Sequence, residues 1–278
     1  MKVIVTADWH LRKDRPRCRL DENWVGTQAR MVEFVFARAA KEECDVWVIG
    51  DIYHTPVVPP EIELIIPSIL SRTKYKDVMC FVLPGNHDVQ YGNPQNLLRS
   101  SLGVLLNTHS SRAYVQQEDD SIQCAHTLVW PDESTKPEPA PGLLPDEIFE
   151  MYPKARCIFT GDYHHAFAVR KGDQLLVNPG CITRQTADMK DYRPVFYIVD
   201  TNTLKADPVS LPDTEPVVTD LYLEREKERD GRIESFIELV AAKGGVSLDF
   251  RENLRAKLPK VPPEVRDEVE DILAEVSA

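Results

Sequence analysis

Short apolar runs alternate with longer amphipathic segments over the first half of this chain. The apolar runs predict buried strands at 2–7, 45–50 and 78–83. The amphipathic segments predict helices at about 22–42, 60–72 and 94–105, the last two beginning at proline. Strands that alternate with helices pair in parallel through right-handed crossovers, so this half predicts a parallel sheet.

The second half of the chain is richer in β-like runs than in helix. The runs lie at 112–117, 121–129, 156–160, 174–178 and 194–200, with one short helix expected at about 145–152. From about Thr214 an acidic, helical pattern follows, with helices predicted at 230–243, more weakly at 249–258, and after Pro263. We therefore predict a main domain at 1–213 and a small helical cap or partner-docking segment at 214–278.

Net charge, cysteine spacing and the length of the apolar runs limit the classes of protein to which the chain can belong. A formal net charge of −12 over 278 residues argues against a surface that is basic throughout, although metal ions can supply local positive charge in a nuclease. The six cysteines form no CxxC pair, which is typical of reduced thiols in the cytoplasm. No apolar run is long enough to span a bilayer and the N-terminus leads directly into a strand, so we expect a cytoplasmic protein without a membrane segment or signal peptide.

Four short polar clusters carry the candidate chemistry, three of them directly after a predicted strand. The clusters are Asp8-Trp9-His10, Gly50-Asp51, Gly85-Asn86-His87-Asp88 and Gly161-Asp162-Tyr163-His164. Each alone also suits an ordinary turn, but loops at strand ends are where an open α/β sheet gathers its ligands. Carboxylates, imidazoles and a carboxamide without a thiolate suit a pair of divalent metals that hydrolyse a substrate.

In this order the clusters resemble the pattern of the calcineurin-like metallophosphoesterases, which runs DxH, GD, GNHD, a separate His and GHxH. The resemblance covers roughly residues 1–200 and implies an α/β fold, a four-layer αββα sandwich of two mixed sheets. Within that superfamily the chain looks most similar to the nuclease subunit of double-strand-break repair and SbcCD-type complexes. The segment from Gly50 to His54, the prolines after it and the Asn178-Pro179-Gly180-Cys181 turn carry this closer resemblance.

The resemblance implies a ligand set for two metals. The first metal would be held by Asp8, His10, Asp51 and His164, with Asp51 bridging to a second metal that Asn86 and a separate histidine complete. We expect that histidine to be His126, with His109 as the competitor. Asp162 replaces the family's first histidine of GHxH, and a carboxylate there favours Mn²⁺, with Mg²⁺ as the alternative. The neighbouring His165 should point the other way.

The implied mechanism is attack on phosphorus by a metal-activated hydroxide. His87 is the candidate general acid, with Asp88 available to orient its ring, although His87 could instead contact the substrate phosphate. His54 lies close behind Asp51 and is a candidate substrate contact.

A loop rich in positive charge follows the first strand. Residues 11–19 hold five basic side chains and one acidic one, of which Arg12, Lys13, Arg15 and Arg17 are candidate contacts for a phosphate backbone. Trp9, Trp24 or Tyr91 could stack on a base. A salt-bridged loop and core aromatics are the alternatives.

We therefore predict a metal-dependent phosphoesterase, most simply a DNA exonuclease or endonuclease of repair or recombination. The alternative is a phosphatase or small-molecule phosphodiesterase that acts on nucleotides or phosphoproteins. A third hypothesis is a non-catalytic, metal-stabilised interaction subunit. For the nuclease, the resemblance implies DNA, an ABC-type ATPase with a coiled coil and a homodimer as partners, with the C-terminal helices as the docking piece.

Overall fold

In this computed structural model, ten strands and five α-helices form the regular structure of the described part of residues 1–220, together with short 3₁₀ helices. The structure describes residues 1–108, 113–115, 120–213, 217–223, 227, 258–260, 262–263, 265–267 and 269–270. The strands are β1 (Lys2–Thr6), β2 (Asp45–Ile49), β3 (Cys80–Leu83), β4 (Ala113–Val115), β5 (Ile122–His126), β6 (Cys157–Gly161), β7 (Phe167–Lys171), β8 (Gln174–Asn178), β9 (Val195–Asp200) and β10 (Lys205–Ser210). The helices are α1 (Trp24–Glu42), α2 (Pro60–Glu63), α3 (Ile65–Leu70), α4 (Ser101–Thr108) and α5 (Pro145–Met151).

The strands form two sheets, and both are mixed. The larger has the order β10-β9-β1-β2-β3-β4, in which β1 to β4 are parallel and β9 is antiparallel to both of its neighbours, β1 and β10. The smaller has the order β5-β6-β8-β7, with β7 antiparallel to β8. The prediction of a parallel sheet from the first half is therefore confirmed for β1 to β3, and the second half extends that sheet with β4 at one edge and with β9 and β10 at the other.

Alternating side chains place the sheets face to face between helices. In β1, Val3 and Val5 pack into a core shared with Phe159 of the second sheet, whereas Ile4 packs into a core with α1 and α3. This alternation is the expected result of the two-residue period of a strand. On the outer face of the second sheet, Ile148 of α5 packs near Ile158. The predicted four-layer αββα sandwich of two mixed sheets is thereby confirmed.

Several elements differ from the sequence prediction. The helix expected at 60–72 is two short helices, α2 and α3, that meet at Leu64, and the one expected at 94–105 is a 3₁₀ helix (Pro94–Arg99) followed by α4. Strands β7 and β10 were not predicted from the sequence. Both lie at sheet edges and bury few side chains. Their weak apolar alternation, with Pro208 inside β10, is typical of edge strands.

The chain divides into two compact units, Met1–Asp220 and Leu221–Ala278. Residues 217–219 belong to the first unit, because the Leu20 N–H donates to the Val217 carbonyl over 2.8 Å and the Thr219 N–H donates to the Cys18 carbonyl over 2.7 Å. The predicted domain boundary at 213/214 precedes this pairing and stays a prediction.

In the second unit, the predicted helix at 230–243 and nearly all of the one at 249–258 lie outside the described residues. Positions 263, 265–267 and 269–270 of the last predicted helix are helical.

Two expectations from the sequence concern the cellular location of the protein: reduced cysteines and the lack of a membrane segment. All six cysteines are free, and five of them are buried. None of the described helices combines the length and the apolar character that crossing a membrane requires. The expected cytoplasmic location stays a prediction.

Candidate metal centre

The polar clusters lie where the strands of both sheets end. Asp8 and His10 follow β1, Asp51 follows β2, His126 is the last residue of β5 and His164 follows β6. The carboxyl ends of parallel strands share one edge of a sheet, so residues far apart in sequence meet there.

Five of the predicted ligands come together at this edge. The ligand atoms of Asp8, His10 and His164 all lie within 4.8 Å of one another, and so do those of Asp8, Asp51 and His126. Asp51 also contacts both groups, because its Oδ2 is 3.6 Å from His10 Nε2 and 3.3 Å from His126 Nε2. Asp8 and Asp51 thus each lie close to His10 and also to His126.

The backbone at these positions is strained. Asp8, His10 and Asp51 have φ angles of 50°, 43° and 52°, in the left-handed region that costs a non-glycine residue roughly 1–2 kcal/mol. Backbone hydrogen bonds hold the two loops in this shape: the Asp8 N–H donates to Gly50 over 3.1 Å and the His10 N–H donates to Asp51 over 2.9 Å. Strain of this kind persists where the fold must aim particular side chains.

Glycine is required where the backbone lies directly against a ligand. Gly50 has a φ of +83°, and a Cβ there would stand 2.0 Å from Nδ1 of His126. A Cβ on Gly85 would stand 2.1 Å from Oδ1 of Asp51. The glycines of the GD and GNHD motifs therefore make room for the imidazole and the carboxylate of the site.

His126 occupies the place predicted for the separate histidine. Its Nδ1 lies 2.9 Å from the Ile49 carbonyl, which can only accept, so Nδ1 carries a proton and Nε2 faces the carboxylates of Asp51 and Asp8. The competitor, His109, lies outside the described residues. The assignment of His126 as a metal ligand stays a prediction.

Burial and neighbouring charges shift the pKa values of the clustered side chains. Burial, with Asp51 close by, raises the pKa of Asp8 to about 8, although the charge of His126 opposes the shift. Burial lowers the pKa of His126, but the Asp51 carboxylate 3.3 Å away and the charge of Asp8 outweigh it and raise this pKa to about 9. Burial and three neighbouring imidazoles lower the pKa of His10 to about 3, although the charge of Asp51 opposes the shift. Asp8 and His126 therefore carry protons at neutral pH that a bound cation would displace, whereas His10 is neutral.

This donor set fits divalent metal ions. Buried carboxylate oxygens face imidazole nitrogens, and Nδ1 of His10 is buried without a hydrogen-bond partner. Such oxygen and nitrogen ligands suit first-row dications and Mg²⁺, which would replace the protons.

The predicted role of Asp88 in orienting the His87 ring is wrong. The Asp88 carboxylate is fully buried and accepts hydrogen bonds from the backbone N–H groups of Gly85, Ile52 and Tyr53, at 2.9, 3.2 and 2.9 Å. Burial, reinforced by the charge of Asp51, raises the pKa of Asp88 to about 6 although these hydrogen bonds oppose the shift. Asp88 therefore ties the GNHD turn to the loop after β2.

A carbonyl, not a carboxylate, orients His87. The Nδ1 of His87 lies 2.8 Å from the His54 carbonyl, so Nδ1 carries the proton and the Nε2 of His87 is left toward the site. The His87 side chain is 41% exposed, and its backbone N–H donates to Oδ1 of Asp51 over 2.9 Å. His54 stacks on His87 with ring centroids 5.6 Å apart. Both histidines thus border the predicted ligands and are partly exposed.

Two other predicted ligands stand differently. Asn86 is exposed and lies in the turn between Gly85 and His87. Asp162 has a φ of 87°, and its backbone N–H donates to both Asp8 oxygens, at 3.2 and 3.1 Å. Among the described residues, the groups of clustered ligand atoms do not include the Asp162 carboxylate. Metal binding by Asn86 and Asp162 stays a prediction.

Much of the positive charge in the loop after β1 is paired. Arg12 forms an ion pair with Asp14, Lys13 lies 2.9 Å from Glu61, and Arg15 donates to the Asp21 carbonyl over 2.7 Å. Lys13, Arg15 and Arg17 remain exposed at the surface. The substrate-binding role of these four cations stays a prediction.

The fifth cation of the loop is structural. Arg19 is buried and pairs with Asp21 at 2.7 Å and with Asp213 at 2.9 Å. Of the three aromatic residues considered for base stacking, Trp9 and Trp24 are buried, as in the core alternative, whereas Tyr91 is 90% exposed. Tyr91 alone of the three presents its ring to solvent.

Two side-chain amides that stabilise the loops beside the predicted ligands were not identified from the sequence. Asn178 is fully buried, and its Nδ2 donates to the carbonyls of Tyr163 and His165, at 2.6 and 3.0 Å, on either side of His164. Gln28 of α1 pairs with both backbone groups of Arg12, at 2.9 and 2.8 Å. The asparagine of the NPGC turn was a visible signal, but a glutamine inside a helix carries none.

Comparisons with known proteins identify a family and one similar solved structure. The family model for calcineurin-like phosphoesterases matches residues 1–166. A solved structure presented as a novel archaeal phosphodiesterase aligns with 76% of this chain and 100% of its own, with 15% sequence identity and a TM-score of 0.46. No curated protein matches the chain.

Proposed function

Because the chain belongs to the calcineurin-like phosphoesterase family, we propose that it is a two-metal phosphodiesterase that cleaves DNA, as an exonuclease or endonuclease of repair or recombination. One observation carries the proposal. Two groups of ligand atoms, each within 4.8 Å, share Asp8 at the carboxyl edge of the sheets. Two cations held this close can clamp one phosphate group.

The residues present fit such a pair of ions. Asp8, His10, Asp51 and His164 would hold one, and Asp51 and His126, with Asp8 close to both, the other; Asn86 and Asp162 are further candidates. When bound, two Mn²⁺ or Mg²⁺ ions supply positive charge to the phosphate and lower the pKa of water. The protein holds the ligands in buried loops with a strained backbone. A phosphate group bound there would lie beside His87.

His87 provides the proton for the leaving group in this proposal. Its Nδ1 donates to the His54 carbonyl, so the proton given to the leaving group would be a second one, carried on Nε2 by the imidazolium form of the ring. A positioned general acid of this kind contributes about 10²–10⁴-fold to a rate. His54, stacked on His87, lines the same approach and would contact the substrate.

DNA is favoured as the substrate by features at the rim of the site. Tyr91 follows the GNHD turn and is 90% exposed, as a ring that stacks on a base must be. Lys13, Arg15 and Arg17 are exposed in the loop after β1, where a phosphate backbone could meet them. The GDIYH segment supports the same substrate through its resemblance to repair nucleases.

A second candidate is a phosphatase or a phosphodiesterase for small nucleotides or phosphoproteins. The ion pairs of Arg12 with Asp14 and of Lys13 with Glu61 favour it, because they neutralise part of the loop that DNA would need. The net charge of −12 acts in the same direction by repelling a long polyanion.

Incubation of the full chain with Mn²⁺ separates the candidates. The substrates are labelled single-stranded and double-stranded DNA, bis-p-nitrophenyl phosphate and p-nitrophenyl phosphate, each with a chelator control. We expect Mn²⁺-dependent cuts in DNA together with turnover of the small diester. Turnover of small esters alone would favour the second candidate, and metal binding without any turnover would leave a non-catalytic interaction subunit.

We also propose a cytoplasmic location and an ABC-type ATPase with a coiled coil as partner, docked through the C-terminal segment predicted at 214–278, with homodimerisation of the nuclease. The six free cysteines suit a reducing compartment. A chain that ends at Asp220 is expected to hydrolyse the small diester and to lose the ATPase, because the first compact unit contains the whole candidate site. Light scattering of wild-type and truncated chains with and without the ATPase measures both assemblies, and an unchanged complex after truncation would contradict the docking proposal.

A further inference from the structure

Three imidazoles form a third cluster beside the two groups already described. His10, His54 and His87 come from the loops after β1, β2 and β3, and their ligand atoms lie within 4.8 Å of one another. The rings of His10 and His87 meet edge to face with centroids 4.9 Å apart, and those of His54 and His87 are stacked at 5.6 Å. The group contains no carboxylate.

The protonation pattern of these rings leaves nitrogen lone pairs for a ligand. Since the His87 Nδ1 donates to the His54 carbonyl, its Nε2 keeps the lone pair. A backbone carbonyl on the second nitrogen is the usual support of a metal-binding histidine. The Nδ1 atoms of His10 and His54 are buried and have no hydrogen-bond partner. A buried ring nitrogen without a hydrogen-bond partner lowers the stability of the fold unless a bound ligand or metal ion contacts it.

Negative charge also lies close by. Oδ2 of Asp51 is 3.6 Å from Nε2 of His10 and 4.0 Å from Nε2 of His87. A cation among the three rings would therefore be attracted by a buried carboxylate without needing it as a direct ligand.

We propose that His10, His54 and His87 form a separate site that takes Zn²⁺ and that competes with the pair of catalytic ions. Three neutral imidazoles with a water molecule make a four-coordinate site that suits Zn²⁺, whereas Mn²⁺ and Mg²⁺ prefer the groups that contain carboxylates. A neutral imidazole has a single lone-pair nitrogen, so His10 serves either this site or the group with Asp8 and His164.

The consequence for catalysis rests on the proposed function. A Zn²⁺ ion at this site occupies Nε2 of His87 and so removes the proposed general acid, and it also takes His10 from one catalytic ion. Excess Zn²⁺ should then inhibit the Mn²⁺-loaded protein, and the inhibition should be relieved by more Mn²⁺.

The test is a metal titration of the full, metal-stripped chain, read without any substrate. Co²⁺ serves as a visible probe, because four-coordinate Co²⁺ absorbs far more strongly than six-coordinate Co²⁺, and calorimetry gives the Zn²⁺ and Mn²⁺ affinities. We expect His54→Gln to abolish the strong Co²⁺ band and to weaken Zn²⁺ binding by about tenfold or more, with Mn²⁺ affinity changed by less than about twofold. His165→Gln, next to a predicted ligand but outside the cluster, should match the wild type in all three measurements.

Two results would overturn the proposal. One is a His54→Gln protein with the wild-type Co²⁺ band and Zn²⁺ affinity. The other is a Zn²⁺-loaded wild type that binds as many Mn²⁺ ions as the metal-free protein, because His10 could then not be shared. If His54→Gln does not fold, as judged by circular dichroism, His87→Gln takes its place with the same expected loss. A protein that shows this binding pattern but cleaves no phosphoester with Mn²⁺ would contradict the proposed function and leave the zinc site standing.

Discussion

Replacing Gly85 with alanine tests whether the backbone of the GNHD turn sets the position of Asp51. Gly85 lies against the loop after β2, and a Cβ added there would stand 2.1 Å from Asp51 Oδ1 and 2.3 Å from the Asp51 backbone nitrogen. The second contact is with main chain, which cannot rotate out of the way. We therefore expect the substitution to displace Asp51 itself.

The size of the displacement follows from these distances. Ordinary van der Waals contact begins at 3.4 Å, so one of the two loops must move by about 1 Å. A misplacement of about 1 Å in an active site can cost about 10²-fold in rate. Overpacking of this kind also costs roughly 1–3 kcal/mol of stability, which a folded domain of this size tolerates. Gly85→Ala should therefore stay folded, bind Mn²⁺ more weakly and lose about 10²-fold in kcat/KM.

The assay is Mn²⁺-dependent hydrolysis of bis-p-nitrophenyl phosphate, with Mn²⁺ affinity measured by calorimetry. Gly172→Ala is the matched control, because the same methyl group there meets nothing within 4 Å and costs only the left-handed backbone at a φ of +57°. We expect the control to keep wild-type activity. A Gly85→Ala protein with wild-type Mn²⁺ affinity and kcat/KM would refute the reasoning.

Three further predictions concern the proton, the pH and the buried ion pairs. His87→Gln should lower kcat for the small diester by about 10²–10⁴-fold while calorimetry shows retained Mn²⁺ binding; undiminished turnover would exclude His87 as the acid. Mn²⁺ affinity should rise with pH up to the pKa values of about 8 for Asp8 and about 9 for His126, because below them each group must release a proton to bind a cation. Calorimetry in a pH series would contradict this if the affinity stayed flat between neutral pH and those values. Arg19→Met should lower the free energy of urea unfolding by about 1.5–3 kcal/mol because it removes the charged hydrogen bonds of Arg19 to Asp213, although Arg184 Nε still pairs with that carboxylate at 3.3 Å; a loss of under about 1 kcal/mol would show that the pair is dispensable.

The ligand positions were predictable because their signal is local. Asp8 and Asp51 each follow an apolar run, and the edge at which parallel strands end is a consequence of the βα order. His126 was expected because the family resemblance requires a separate histidine, and β5 ends at this residue. Local strand patterns and one topological rule therefore placed the polar clusters at one edge, and the resemblance supplied the separate histidine.

The supporting roles were not predictable, because they depend on contacts between distant segments. Asp88 is adjacent to His87 in sequence, yet its carboxylate binds backbone of Ile52 and Tyr53. Arg19 reads as part of a basic surface loop, yet Asp213 draws it into the interior. A short sequence window gives the charge of a side chain but not the partner that neutralises it.

The replacement of histidine by Asp162 has a physical explanation in the backbone. The backbone N–H of Asp162 donates to both carboxylate oxygens of Asp8, at 3.2 and 3.1 Å. Any residue other than proline supplies that N–H, provided that its backbone can adopt the φ of 87° found here. Aspartate and asparagine tolerate positive φ better than most residues, because their short polar side chains can hydrogen-bond locally. The contact with Asp8 thus depends on the main chain at position 162 and not on its side chain, which is compatible with a carboxylate where the resembled GHxH pattern has a histidine.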